Sequence, residues 1–89
     1  MTKHLHYEFD LSRDEFVRIT LKQQAYVRLM DRDNYTNYKG GLQYRFYGGL
    51  AEVSPYEITP PSGGHWHLAI DLGAYEGDIE AAVRIIRPD

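Results

Sequence analysis

The sequence predicts an all-β fold: a two-sheet, jelly-roll-like sandwich of about eight short strands. Three observations lead there. Apolar residues alternate with polar ones at a period of two in segment after segment. Turn-forming Gly, Pro, Asn and Asp residues recur at intervals of roughly eight to twelve residues. Helical three-and-four spacing is approached only over 77–86, where β-branched residues and strict alternation favour a strand. With 89 residues, 43% hydrophobic and 26% charged, the chain reads as one globular domain spanning 1–89, with no linker and no internal repeat.

The elements follow in chain order. Leu5, Tyr7 and Phe9 alternate with His4, His6 and Glu8 in a first strand. Val17, Ile19 and Leu21 alternate with Phe16, Arg18 and Thr20, and Ala25, Val27 and Leu29 with Tyr26, Arg28 and Met30. Lys22-Gln23-Gln24 between them has the length of a hairpin connection. The segment 31–41, rich in Asp, Asn and Gly, reads as a long loop carrying Tyr35 and Tyr38, and long loops in small domains tend to carry function. Residues 42–47 read as extended. Residues 53–58 read as a strand that Pro55 confines to a sheet edge, because proline cannot donate to the ladder. Thr59-Pro60-Pro61-Ser62-Gly63-Gly64 is stiff at its start and permissive at its end, and delivers the chain into His65. Trp66, Leu68, Ile70 and Leu72 then alternate with His65, His67, Ala69 and Asp71, so Trp66 is expected to fill the core. Residues 73–78 carry glycines suited to a tight return, and Ile79, Ala81, Val83 and Ile85 form the last alternating run. Each strand is apolar on one side only, which implies a single core between two sheets with wet outer faces.

Composition bounds the function. The absence of cysteine excludes disulfides, thiolate metal sites and a cysteine nucleophile. Residues 1–45 carry a formal +2 and 46–89 a formal −5, consistent with the overall −3, so nothing marks a nucleic-acid footprint. No stretch approaches the roughly 20 apolar residues of a membrane span, and the N-terminal sequence lacks the apolar run of a signal peptide. The expectation is a cytoplasmic protein that binds neither nucleic acid nor membrane. Gly40-Gly41, Gly48-Gly49 and Gly63-Gly64 lack the lysine and helix of a phosphate loop, and no serine or acid sits in a recognisable nucleophile setting. The chain is therefore not expected to be an enzyme, and no cofactor is expected.

Two groups of residues carry candidate chemistry. Eight tyrosines stand in the chain. Tyr35, Tyr38, Tyr44 and Tyr47 fall close together among Asn34, Asn37, Lys39 and Arg45, a mixture of stacking area and polar donors suited to an organic ligand. His65 and His67 project from one strand face with Cα atoms about 6.6 Å apart, a spacing that permits an ion. Asp71 would complete a cupin-like box, but it lies about 13 Å beyond His67 along an unbroken strand. His4, His6 and Glu8 share a face of the first strand, and would supply the missing ligands if that strand lay beside 65–71. The expected ligand-binding set is Asn34, Tyr35, Asn37, Tyr38, Arg45, Tyr47, His65 and His67, with no metal assigned.

Several of these motifs in fixed order, Val27-Arg28-Leu29-Met30-Asp31, Asn34-Tyr35, Asn37-Tyr38 with Gly41, Tyr47-Gly48-Gly49, Ser54-Pro55, and Gly64-His65-Trp66-His67 with Ile70-Asp71-Leu72-Gly73, resemble the bacterial DUF1883 family. His6-Tyr7 is similar too, whereas Ala25 departs from the asparagine expected there. The resemblance implies a small β-rich domain of unassigned activity, found alone or joined to TIR signalling domains. The function expected is a non-catalytic recognition module that binds a small molecule, glycan or protein through the aromatic loop and the histidine face. A cupin-like metal-dependent enzyme using His65 and His67 is the competing reading, and a self-association module paired along the 53–58 edge, as a homodimer, is the third.

Overall fold

Alternation becomes strand at each strongly patterned segment. A computed structural model describes residues 3–75 and 77–88. Among them are β1 (His4–Leu11), β2 (Phe16–Leu21), β3 (Ala25–Met30), α1 (Arg32–Gly40), β4 (Tyr47–Ala51), β5 (Tyr56–Ile58), β6 (Gly64–Asp71) and β7 (Ala81–Ile86). The strands form two antiparallel sheets, one of four strands in the order β1-β6-β3-β4 and one of three in the order β5-β2-β7. The all-β sandwich is thus the fold. Consecutive strands β1, β2 and β3 alternate between the sheets, as do β5, β6 and β7, which gives the topology its jelly-roll character.

The core lies where the alternation put it. Val17, Ile19, Val27, Leu29, Leu68 and Ile70 are fully buried between the sheets, and Trp66 and Leu72 join them. Each buried aliphatic side chain stabilises the fold by about 1.5 to 3 kcal/mol relative to exposure. Trp66 donates its indole N–H to the Ser62 carbonyl at 3.2 Å, so the polar end of the ring is satisfied while its body fills the core.

Four expectations need correction. β2 and β3 do not form a hairpin: they lie in opposite sheets, with Lys22-Gln23-Gln24 carrying the chain across. Their apolar faces meet through the core rather than side by side, which alternation alone cannot distinguish. The 73–78 connection likewise passes from one sheet to the other and is no tight return. It opens with a turn closed by Tyr75 N–H to the Leu72 carbonyl at 3.0 Å, and its Glu76 lies outside the described residues. The 42–47 segment is not a strand until Tyr47. The edge reading of 53–58 holds, shortened to three residues.

The fourth correction matters most. Residues 32–40 of the expected loop are a helix. The Asp31 carboxylate accepts the backbone N–H of Asn34 at 2.9 Å, an N-cap, and Asp33 and Lys39 sit at the ends that the helix dipole favours. Gly41 closes the helix in the left-handed region at φ 74°, with Leu42 N–H bonded to the Asn37 carbonyl at 2.9 Å. Tyr35 and Tyr38, three residues apart, point the same way and pack with Met30, Ala69 and Tyr44 in a second small cluster. That cluster lies on the outer face of the four-stranded sheet, so this face is covered and not wet.

β4 approaches β3 through glycine. Gly48 pairs with Arg28, and a Cβ on Gly48 would fall 2.3 Å from the Val27 carbonyl oxygen, whereas one on Gly49 would meet nothing within 4 Å. Both have positive φ. Gly48→Ala is therefore expected to destabilise the fold by about 2 kcal/mol or more, and by clearly more than Gly49→Ala. Urea denaturation of the two variants checks this, and equal losses would show that the close approach is not constraining.

Candidate functional site on the helix-covered sheet face

The register of β1 on β6 assembles the histidines. Glu8 pairs with His67, Asp10 with His65, His6 with Ala69 and His4 with Asp71. Cross-strand partners share a face, so His4, His6, Glu8 and Asp10 stand on the same side as His65, His67 and Asp71. His6 Nε2 and His67 Nδ1 lie 2.9 Å apart in a hydrogen bond, and their rings are nearly parallel with centroids 5.2 Å apart. Helix α1 lowers Tyr35 onto both, at 4.1 Å from His6 and 4.9 Å from His67 with small interplanar angles. The Tyr35 hydroxyl meets His4 Nε2 at 3.0 Å, and Lys39 Nζ lies 4.7 Å from the Tyr35 ring centre. Burial pushes the Tyr35 phenol above its usual pKa, so it stays protonated and able to donate.

Asp71 belongs to a different arrangement on the same face. It is 1% exposed and forms an ion pair with Arg28, accepts the Tyr38 hydroxyl at 2.8 Å, and accepts the Gly73 backbone N–H at 2.8 Å. Arg28 itself lies among the rings of Tyr26, Tyr38 and Phe46, 4.8 to 5.7 Å from their centres. Burial, then the bond to Asp71, drives the Tyr38 phenol far above its ordinary pKa. A buried carboxylate must be paired and hydrogen-bonded, and this one is fully occupied in fastening α1 to the sheet. That commitment, and the length of β6 between it and both His65 and His67, keep it out of a cupin-like box, although it faces His4 across the β1–β6 ladder.

Around the imidazoles the electrostatics divide. His65 is half-exposed, with Nδ1 2.8 Å from Asp10 and Nε2 3.0 Å from Glu8. Those carboxylates, Asp10 foremost, hold its pKa above the usual value, and His65 in turn holds Glu8 low. His67 is buried, and desolvation pushes it below the usual value against the pull of Glu8. His6 is also lowered, by desolvation first and His67 second. Nε2 of His67 is buried without a hydrogen-bond partner among the described residues, and it faces Glu8 Oε1 at 3.9 Å. One nitrogen each from His6 and His67 and one oxygen from Glu8 all lie within 4.8 Å of one another. The group can exchange protons or bind a polar ligand at its open rim.

The residues expected to form the ligand surface are thus distributed. His65, His67 and Tyr35 come together, with His4, His6 and Glu8 added by the register of β1. Tyr35 and Tyr38 are buried supports and not exposed loop side chains. Asn34 bonds Asp31 and accepts the Arg45 backbone N–H at 2.7 Å, and Asn37 supplies the carbonyl that closes the helix. Arg45 is exposed beside a shallow groove shared with Asn34, Gln43 and Tyr44. Tyr47 pairs with Leu29 and leans on Trp66 with ring centres 5.9 Å apart, on the opposite face from the histidines. Arg28 is the contributor that the sequence did not single out, since its strand pattern marked only a polar outward position.

The family model of DUF1883, a domain of unknown function, matches residues 2–89, and the chain belongs to that family. Comparison with curated proteins and with solved structures found no match.

Removing Arg28 leaves a buried carboxylate uncompensated. Arg28→Ala is expected to cost about 3 to 5 kcal/mol in chemical denaturation, and a loss near zero would mean that Asp71 is rehydrated in the native state. The histidine shifts give a second expectation. By NMR, His65 should titrate above about 6.5, and His6 and His67 below it. His65, raised in the fold, contributes stability that is complete below its unfolded pKa and lost as pH rises through its folded one. His6 and His67, lowered in the fold, contribute stability present above their unfolded pKa and lost as pH falls through their folded ones. His65→Gln should therefore flatten the alkaline side of the stability profile and His67→Gln the acid side. The reverse order of midpoints would overturn the assignment.

Proposed function

We propose that this DUF1883 domain is a non-catalytic recognition module that binds a small polar ligand on the rim formed by His6, Glu8, Asp10 and His65, beside the buried His67 that Tyr35 covers. The observation that carries this reading is the stack of Tyr35 on the hydrogen-bonded pair His6 and His67. Donors and acceptors fixed on paired strands and clamped by a ring lose little freedom on binding, so more of the interaction energy appears as affinity. His65 bonded between the Asp10 and Glu8 carboxylates places an imidazole beside carboxylate oxygens, an array suited to a ligand carrying both donor and acceptor groups.

The 31–47 segment serves the site indirectly. Asn34 and Asn37 secure the ends of α1, Tyr38 fastens it to Asp71 and meets the His4 ring edge-on at 5.1 Å, and Tyr35 reaches His4, His6 and His67. Arg45 and Tyr47 fall outside this ligand surface. A bacterial setting and a role beside TIR signalling domains rest on the family resemblance, a cytoplasmic one on the lack of an apolar leader or span in the sequence, and together they complete the reading as a sensing or targeting module.

The test is a heteronuclear NMR screen of tag-free protein against sugars, nucleotides and amino acids, run in chelator. Binding should shift amides of residues 4–10 and 64–68, and His65→Ala should weaken it at least about tenfold, the loss of one charged hydrogen bond. Shifts confined to residues 42–47 or to β7 would place recognition elsewhere and end this reading.

A further inference from the structure

We infer that the free edge of β7 is a docking surface for a second copy of this chain, which adds its own β7 antiparallel so that Arg84 of one copy faces Glu80 of the other. β7 ends the three-stranded sheet and is paired with β2 on one side only. Lys22 N–H bonds the Glu80 carbonyl at 3.5 Å, which sets the phase of the ladder. Glu80, Ala82, Arg84 and Ile86 therefore turn their backbone groups to β2, while Ala81, Val83 and Ile85 turn theirs outward. An unpaired row of this kind is a template for another strand.

The other sheet edges are blunted. β5, the edge marked by Pro55, is three residues long, β4 contains Gly48 and Gly49, and β1 carries Glu8 and Asp10. β7 has Arg84 as its one charge and holds neither proline nor glycine. Its inner face is also under-covered. Ile85 pairs with the fully buried Val17 and so faces the core side, yet it is 41% exposed.

Charge selects the occupant and the register. Glu57, Arg18 and Arg84 form a row across the outer face of this sheet. Glu57 accepts from Arg18 at 2.7 Å, whereas Arg84 stands directly opposite Arg18 and has no ion-pair partner among the described residues. Like charges directly opposite are destabilising, so the row lacks a carboxylate where the next strand would lie. A second copy supplies it. Glu80 faces the same side as Arg84, four residues before it, and its bond to Lys22 at 3.1 Å is an exposed pair that holds it weakly. In an antiparallel two-fold pair centred on Ala82, Arg84 of each copy lies opposite Glu80 of the partner subunit, so both charges are matched at once. That register also sets Ala81 against Val83 of the partner subunit, which joins the outward backbone groups, and brings Ile85 to Ile79 of the partner subunit on the inner side. The two three-stranded sheets then run on as one.

The proposal goes beyond the recognition reading and needs none of it: β7 lies in the other sheet from the histidine rim, and association is measured without ligand, so either can fail alone. Sedimentation velocity of tag-free protein from about 10 μM to about 1 mM, at low salt, should show a monomer–dimer equilibrium with a Kd of about 100 μM or tighter. Arg84→Glu, which also removes the like charge facing Arg18, should weaken the dimer at least about tenfold because two attractive pairs become repulsive, and Glu80→Arg should do the same. The double variant Glu80→Arg with Arg84→Glu restores both pairs and should recover the dimer to within about threefold. Ala81→Pro removes an outward N–H that the β2 ladder does not use and should abolish the dimer, with circular dichroism checking that the variant is folded. A monomer throughout the concentration series would leave this edge to a different chain and overturn the proposal. So would a dimer indifferent to Arg84→Glu, or a folded double variant that stays monomeric.

Discussion

β6 is hydrogen-bonded on both sides and covered on both faces, and most of the structure follows from accommodating it. Its even residues Trp66, Leu68 and Ile70, and Leu72 just past its end, enter the inter-sheet core. Its odd residues His67, Ala69 and Asp71 lie on the other side, and they too are buried. An imidazole and a carboxylate inside a domain of this size are tolerated only with partners. Asp71 draws Arg28 from β3 and Tyr38 from α1, His67 draws His6 from β1, and Ala69 is small enough to let the two helix tyrosines settle between them. The helix is therefore fixed by polar anchors at its tyrosines more than by an apolar stripe.

That arrangement gives the outer face of the four-stranded sheet two ends with different character. Around Asp71 the charge is matched by Arg28, the hydroxyl of Tyr38 and a backbone amide, and rings close over the guanidinium. This end is sealed, and its chemistry is spent on holding the structure. Around His67 the polar capacity is not used up: one ring nitrogen has no hydrogen-bond partner among the described residues, and the neighbouring Glu8, Asp10 and His65 reach solvent. A fold that pays for burying polar groups and leaves one unsatisfied at an open rim has a place where a ligand would relieve the cost. The opposite shifts of His65 and His67, one raised by carboxylates and the other lowered by burial, sharpen that contrast within three residues of one strand.

The limits of reading the chain directly are visible in particular residues. Strands and core phase were legible because alternation records which face is apolar, and Pro55 marked its edge because a missing N–H has a fixed consequence. Helix α1 was not, since Tyr35 and Tyr38 are its only buried apolar positions amid Asp, Asn and Gly, and its capping residues are also those of loops. The supposed hairpin at 22–24 failed for a different reason: period-two patterning assigns faces, and carries no information on which strand is the neighbour.

For the site, the sequence by itself determined that His4, His6 and Glu8 share one strand face, that His65 and His67 share another, and that Asp71 lies beyond their reach. Tertiary structure alone decided that these two faces are one face, through the β1 and β6 register that sets Glu8 against His67. It also decided that Tyr35 covers the imidazoles and that Arg28 claims Asp71. The reason is physical: side-chain direction along a strand is a local property of the backbone, whereas pairing, burial and the resulting proton and ligand affinities depend on residues some sixty positions apart, such as His6 and His67.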